Sequence, residues 1–478
     1  MWFRNNSLRR LSLNPLFLFS AEFRYSFAMS PSNHEPKPLC SLVNLIDPSV
    51  NLFFDLTANQ AALAVGSGEV DQIRQIDGQY AVVHQTGPLV RMARTIARPM
   101  RYYFAKIGDD PNQVTQLVVA ERIDEIRDYL TQHDAAGSFD PVDTRMVPAH
   151  YLLEVNLNDP TETSIRYERF LTPKRHCLPA DLDTIGETYI RQLTSELDRW
   201  LDIVEPKEPI GVMFSGGIDS GSVFLLLNHL LHKRGDSLER LHAFTLSIDG
   251  EGSDAAQSKD FLEQLNLDSV LEIVSVPLDA IDYRKAIAAV EDYKPLDIQS
   301  ATVGYAVCEA IRNRYPDWRW LIDGDGGDEN LKDYPIEDNR GLTIQDVLEN
   351  RMLYQEGWGI DALKHSKTYS GGQSRGHART WAPGRLFGFS GLSPYALPNV
   401  IEIAEGIPFI ELTQWDHRKL YALKGEVVRR GVKAVTGFDM PVYPKRRFQH
   451  GAASTASFSK IFPALDSDYR RAFTELHA

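Results

Sequence analysis

Between Ile210 and Ile322 the sequence alternates strand-length apolar runs with longer stretches whose apolar residues recur every three or four positions. Ile210 to Phe214, His242 to Ile248, Val270 to Val276 and Trp318 to Ile322 read as buried strands. Ile218 to Leu231, Asp254 to Leu265, Ile281 to Val290 and Ala301 to Arg314 read as the helices between them. A stripe of Ile185, Tyr189, Leu193, Leu197 and Trp200 predicts a further helix ahead of the first strand. Strands this apolar, joined through helices, require a parallel sheet covered on both faces. This part of the chain is therefore expected to be α/β, with its ligand beyond the carboxyl ends of the strands.

Residues 40–160 follow another pattern. Leu42 to Ile46, Tyr80 to His84, Leu89 to Met92, Arg101 to Lys106, Thr115 to Ala120 and Tyr151 to Val155 are short β-type runs punctuated by Gly, Asp and Pro. They predict an antiparallel sandwich with one helix, Ala120 to Gln132, whose face is Ile123, Ile126 and Leu130. Residues 161–182, rich in Pro, Thr and charge, read as a linker, and residues 183–478 as the second domain. Residues 1–39 read as a leader or unstructured segment. Its first 28 residues carry four Arg against one Glu and admit three readings: a transit segment, upstream sequence before a start at Met29, or a secretory signal, the last disfavoured by the short apolar patch and Pro15.

Charge and cysteine usage narrow the partners. With 51 Lys plus Arg against 65 Asp plus Glu, the net charge of -14 opposes a nucleic-acid backbone, and Lys445-Arg446-Arg447 is too short a basic patch to reverse that. No run approaches the roughly 18–20 apolar residues of a membrane span, so no membrane partner is expected. Three widely spaced cysteines offer neither a CxxC pair nor a disulfide framework. A cytoplasmic location follows, organellar only if residues 1–28 are a transit segment.

The chemistry concentrates in a few loops. Gly211-Val-Met-Phe-Ser215-Gly-Gly-Ile-Asp219-Ser220 runs from a strand through Ser-Gly-Gly straight into a helix. Such a turn aims backbone amides and hydroxyls outward as anion donors. Asp219 beside phosphates makes sense with a metal between them, most naturally Mg²⁺. Trp320-Leu-Ile-Asp-Gly-Asp-Gly-Gly-Asp-Glu329 crowds four carboxylates onto a second strand end. Ala289-Val-Glu291-Asp-Tyr293-Lys-Pro-Leu-Asp297 and Met440-Pro-Val-Tyr-Pro-Lys445-Arg-Arg-Phe448-Gln-His-Gly451 complete the set, whereas the glycine-rich Ser370 to Gly376 follows no strand and reads as a plain loop.

The SGGIDS string resembles the pyrophosphate loop of the N-type ATP pyrophosphatases, and the four segments together resemble the asparagine synthetases and β-lactam synthetases over roughly residues 183–452. That resemblance implies an adenine nucleotide α-hydrolase-like parallel-sheet domain using ATP and Mg²⁺. It implies that Ser215, Gly216, Gly217, Asp219, Ser220, Gly324 and Asp325 hold the phosphates, that Met213, Leu246 and Val290 contact the nucleotide, and that Asp219 and Asp328 hold the metal. It gives Glu291 the role of base toward the attacking nitrogen and Lys445 that of a transition-state cation. Lys294 stands where the family has a metal-binding aspartate, which leaves two readings: Asp292 or Asp297 substitutes for it, or the lysine itself contacts phosphate.

Ile76 to Tyr80, Arg91 to Tyr103, Val119 to Glu121 and Pro148 to Tyr151 resemble the rear of the family's N-terminal-nucleophile glutaminase, and the front looks deleted. Cys40 is internal and lacks the glycine that follows the family's nucleophile. A truncated, inactive glutaminase-like α+β sandwich is therefore expected ahead of the synthetase domain. The function expected is an AMP-forming amide synthetase joining a small-molecule or peptide carboxylate to ammonia or an amine, independent of glutamine, with a homodimer as a possible assembly. The alternative is a catalytically silent adenine-nucleotide-binding regulator.

Overall fold

The computed structural model describes residues 40–106, 115–133, 139–159, 165–333, 336, 343–349, 378–444, 451–452 and 455–477. The leader reading of residues 1–39, the glycine-rich segment 370–376, and Lys445 with its basic neighbours lie outside the described residues.

The first half contains β1 (Cys40–Asn44), β2 (Leu52–Phe53), β3 (Gly78–Gln79), β4 (Ala81–Thr86), β5 (Leu89–Arg94), β6 (Arg101–Lys106), β7 (Thr115–Ala120), β8 (Arg145–Met146), β9 (Tyr151–Asn156) and β10 (Arg166–Arg169). One sheet runs β1-β7-β6-β8, a second runs β10-β9-β5-β4, and β2 pairs with β3. Cys40, Tyr102, Leu117 and Val119 of the first sheet pack against Val90, Met92, Leu153 and Val155 of the second in one apolar layer. The alternate residues of the strands face outward. Tyr103, Ala105 and Val118 meet Ile126 and Leu130 of α3 (Ile123–Gln132), and Tyr80, Val82 and Ala93 meet Ala61, Val65 and Ile73 of α1 (Ala58–Ser67) and α2 (Val70–Arg74). Helix, sheet, sheet and helix are thus stacked in four layers.

Three details depart from the sequence reading. β1 pairs parallel to β7, so the sandwich is not wholly antiparallel. The helices α1 and α2 were not expected: the alanine-rich body of α1 has little apolar contrast, and its local mark is a capping box in which Thr57 and Gln60 satisfy each other's backbone amides. Arg166–Arg169 pair with β9, so part of the presumed linker is sandwich.

The second half holds β11 (Ile210–Met213), β12 (Leu241–Ile248), β13 (Leu271–Val276), β14 (Trp320–Ile322) and β15 (Ser390–Leu392), in the order β13-β12-β11-β14-β15. All four pairings are parallel, as the apolar strands demanded. Around the sheet lie α4 (Leu182–Leu201), α5 (Ile218–Arg234), α6 (Asp254–Glu263), α7 (Tyr283–Val290), α8 (Pro295–Arg314), α9 (Gly327–Leu331), α10 (Ile344–Leu348), α11 (Ala378–Leu386), α12 (Pro398–Gly406), α13 (Phe409–Thr413) and α14 (His417–Thr436). α8 begins six residues earlier than its periodicity predicts, at Pro295, a residue suited to the first helical position. Leu225, Leu226, Trp200 and Val427 of α5, α4 and α14 cover one face of the sheet. Val303, Val307 and Ile311 of α8 cover the other, against Met213, Phe244 and Leu246.

Candidate nucleotide site

β11 is central and the chain leaves it in both directions, to β12 and β13 on one side and later to β14 and β15 on the other. The reversal lies between β11 and β14, and crevices at such reversals are where open parallel sheets bind ligands. The two glycine-rich loops leave these two strands.

The first loop is closed by its own hydroxyls. Ser215 N donates to Ser220 Oγ at 3.2 Å, Gly217 N donates to Ser215 Oγ at 3.3 Å, and the two hydroxyl oxygens are 3.3 Å apart. Gln257 Nε2 on α6 holds the Ser215 carbonyl at 3.1 Å. Gly216 has φ 68°, and a Cβ there would lie 2.9 Å from Ser258 N, so both the backbone conformation and the approach of α6 demand glycine. α5 begins at Ile218 with its first amides turned to the loop, and Asp219 sits in that first turn, where the helix dipole favours a carboxylate.

The second loop rests directly on the first. A Cβ on Gly324 would lie 2.8 Å from Ser220 N and 2.9 Å from the Asp219 carbonyl carbon, and one on Gly327 would lie 2.0 Å from Asp219 Oδ1. Two of the three glycines therefore exist to let β14's loop touch the start of α5. The four carboxylates separate by environment. Asp323 accepts from Ser393 Oγ at 3.0 Å and from the Asp325 amide at 3.0 Å, and burial beside Asp325 raises it well above the usual carboxylate range. Asp325 accepts from Thr380 Oγ1 at 2.7 Å; burial pushes it up to about 6 although Arg379 opposes the shift. Glu329 lies 3.5 Å from Arg379.

Asp328 turns the other way and meets Asp219 on Lys424 of α14. Lys424 Nζ donates to Asp219 Oδ2 at 2.6 Å and also to Asp328 Oδ1, with Asp333 Oδ2 at 3.7 Å. Burial works against the ammonium, but Asp219, Asp328 and Asp333 outweigh it and hold its pKa well above the ordinary lysine value. Sequence reasoning missed Lys424 and Arg379. Lys424 had a signal, a lone cation inside the buried stripe Leu420, Leu423, Val427 and Val428. The donor chemistry suits Mg²⁺: Asp219 and Asp328 offer hard carboxylate oxygens, brought near each other by their shared contact with Lys424 Nζ.

Met213 and Leu246 share the apolar cluster between the sheet and α8. Val290 packs with Ile123, Ile298, Tyr469 and Phe473. Glu291 ends α7 with φ 53° and is 2% exposed. Its carboxylate accepts from Arg101 Nε at 2.9 Å and from the amides of Ile123 at 2.9 Å and Asp124 at 3.2 Å, the first two residues of α3; Arg122 is 3.4 Å away. These four partners all belong to the sandwich. Asp124, Glu291 and His477 present ligand atoms within 4.8 Å of one another, but the two arginines on Glu291 make this an ion-pair network.

The seam continues toward the site. Gln79 Nε2 of the sandwich donates to the Ser393 carbonyl at 2.8 Å, Arg98 donates to the Gly391 carbonyl at 3.2 Å, and Ser393 holds Asp323. Cys40 is 1% exposed, and burial pushes its thiol up to about 11, opposite to what a nucleophile needs.

These loops on this sheet define a class: an ATP-pyrophosphatase-type α/β domain preceded by an α+β sandwich. Residues 204–378 match the model of the asparagine synthase family, and that similarity supports an ATP-using enzyme of ligase type. No curated protein matches the chain. Among solved structures, the U34-tRNA thiolase of Methanococcus maripaludis, described with its [4Fe-4S] cluster, is similar at 13% identity over 61% of this chain and 94% of that one. Its TM-score of 0.23 is too low to bear on fold or function. No helix among the described residues is long and apolar enough to cross a membrane.

Proposed function

We propose that the chain is an AMP-forming amide synthetase that activates a carboxylate with ATP and passes the acyl group to ammonia or an amine. The observation that carries this reading is the contact of the two loops at the sheet's reversal, where Gly324 and Gly327 lie against Asp219 and Ser220. The substrate carboxylate attacks the α-phosphorus of ATP, giving an acyl-adenylate and pyrophosphate. The amides and hydroxyls of Ser215 to Ser220 hold the leaving pyrophosphate, while Lys445 is assigned the charge developing at the α-phosphate. Bound Mg²⁺, held by Asp219 and Asp328, would neutralise phosphate charge. The nitrogen nucleophile then adds to the acyl carbon, AMP departs, and Glu291 is assigned the proton lost by nitrogen. The acyl donor is a small-molecule or peptide carboxylate, and a homodimer is the assembly proposed.

Glutamine independence is part of the proposal, supported by the buried Cys40. A second reading, a silent nucleotide-binding regulator, is favoured by one observation: Glu291 already serves two arginines and two amides of the sandwich. Carboxylate-dependent exchange of [³²P]pyrophosphate into ATP decides between them. Exchange that Asp219→Ala abolishes supports the synthetase, and ATP binding without exchange across a broad acid panel supports the regulator.

A further inference from the structure

Lys424 stands at the one point where both proposed metal carboxylates meet. Its side chain is 4% exposed, whereas those of Asp219 and Asp328 are 22% and 36% exposed. Asp219 Oδ1 is enclosed, so the oxygen of Asp219 left for a cation is Oδ2, the one that already accepts from the ammonium. A divalent cation arriving alone must share these oxygens with the ammonium and sit close to a fixed positive charge in a low-dielectric setting, which costs far more than it would in water. A cation arriving on a nucleotide brings the polyphosphate's negative charge with it. The same ammonium that repels the bare ion then attracts the complex.

We infer that Lys424 is a positioning residue that makes metal entry depend on nucleotide: the Asp219–Asp328 pair rejects free divalent cation and accepts it as the nucleotide complex. Lys424 reaches this place from α14, which packs along α4 and α5 through Leu420, Val427 and Val428 in the main core. The helix bearing Asp219 and the helix bearing Lys424 are thus packed in one layer, and the ammonium is enclosed among Asp219, Asp328 and Asp333. The inference rests on the proposed ATP site, but its test does not need turnover.

Mn²⁺ serves as the probe, with binding to the full chain measured by electron paramagnetic resonance and calorimetry, with and without ATP. The wild-type protein is expected to bind Mn²⁺ alone at least tenfold more weakly than Lys424→Met, about 1.4 kcal/mol. Lys424→Arg, which keeps the charge, should keep the rejection, and adding Asp219→Asn to Lys424→Met should remove the gain. A purely structural lysine would instead lower metal affinity on removal. Wild type binding Mn²⁺ alone within threefold of Lys424→Met overturns the inference, as does tight stoichiometric binding of Mn²⁺ alone by wild type, a measurement that needs no variant. Failure of wild type to bind Mn·ATP refutes the proposed ATP site separately, because the comparison with Mn²⁺ alone is still made.

Discussion

Replacing Glu291 by Gln separates two roles that the sequence and the structure assign to the same carboxylate. The side chain is 2% exposed and is shared by Arg101 Nε at 2.9 Å, Arg122 at 3.4 Å and the first two amides of α3. Removing one member of a buried ion pair costs about 3–5 kcal/mol, because the remaining charge stays buried without compensation. Glutamine keeps the oxygen that serves Arg101 and the Ile123 amide but loses the one that accepts from Asp124, and the Arg122 side chain is 19% exposed, so water recovers part of its loss. The expected cost is therefore about 3 kcal/mol, at the low end of that range. Urea unfolding followed by fluorescence gives the free energy, and faster amide exchange at Ile123 and Asp124 locates it. Replacing the pair together, Arg101→Met with Glu291→Leu, should recover part of the loss, since the buried Arg101 charge goes with its partner while Arg122 keeps Asp124. Pyrophosphate exchange, which needs no nitrogen source, should persist in Glu291→Gln at a temperature where it is folded, while amide formation falls. A variant within about 0.5 kcal/mol of wild type and with normal exchange at the two α3 amides refutes the clamp reasoning, since surface-like substitutions stay in that range.

Further tests follow from other contacts. Gly324→Ala forces a Cβ to 2.8 Å from a backbone nitrogen that cannot yield, so about 1–3 kcal/mol of stability and at least tenfold in ATP affinity should be lost by calorimetry, whereas Gly384→Ala, whose Cβ would meet nothing nearer than 4.0 Å, should be neutral or slightly stabilising. Of the three free cysteines Cys177 is exposed, and Cys40 and Cys308 are buried; a thiol reagent on native protein should label one residue, and early labelling of Cys40 contradicts the dead-nucleophile reading. Burial, with Asp297 beside it, pushes Asp292 up to about 6 from 3.8. Between those values the folded chain holds more proton than the unfolded chain, so this group's contribution is full below about pH 4 and is lost as pH rises through 6. Asp292→Asn, which keeps the oxygen accepting from the Tyr293 and Lys294 amides, should remove that fall in unfolding free energy, and unchanged pH slopes reject the assignment.

The sequence alone determined the parallel sheet, because strands without a polar face have only one way to be buried. It also determined the contents of the two glycine loops, since a strand turning at once into a helix through Ser-Gly-Gly has a local geometry that neighbours hardly alter. Most strand and helix cores were legible for the same reason. What it did not determine is which side chains meet. Lys424 is 205 residues from Asp219 along the chain, and Glu291 is 190 from Arg101, so their pairings are set by how α14 crosses α5 and by how the sandwich docks on α7. Periodicity marks a face as buried without naming the partner of a charge on it. The parallel register of β1 on β7 and the commitment of Glu291 to α3 are likewise tertiary facts, decided by packing between segments that carry no record of each other.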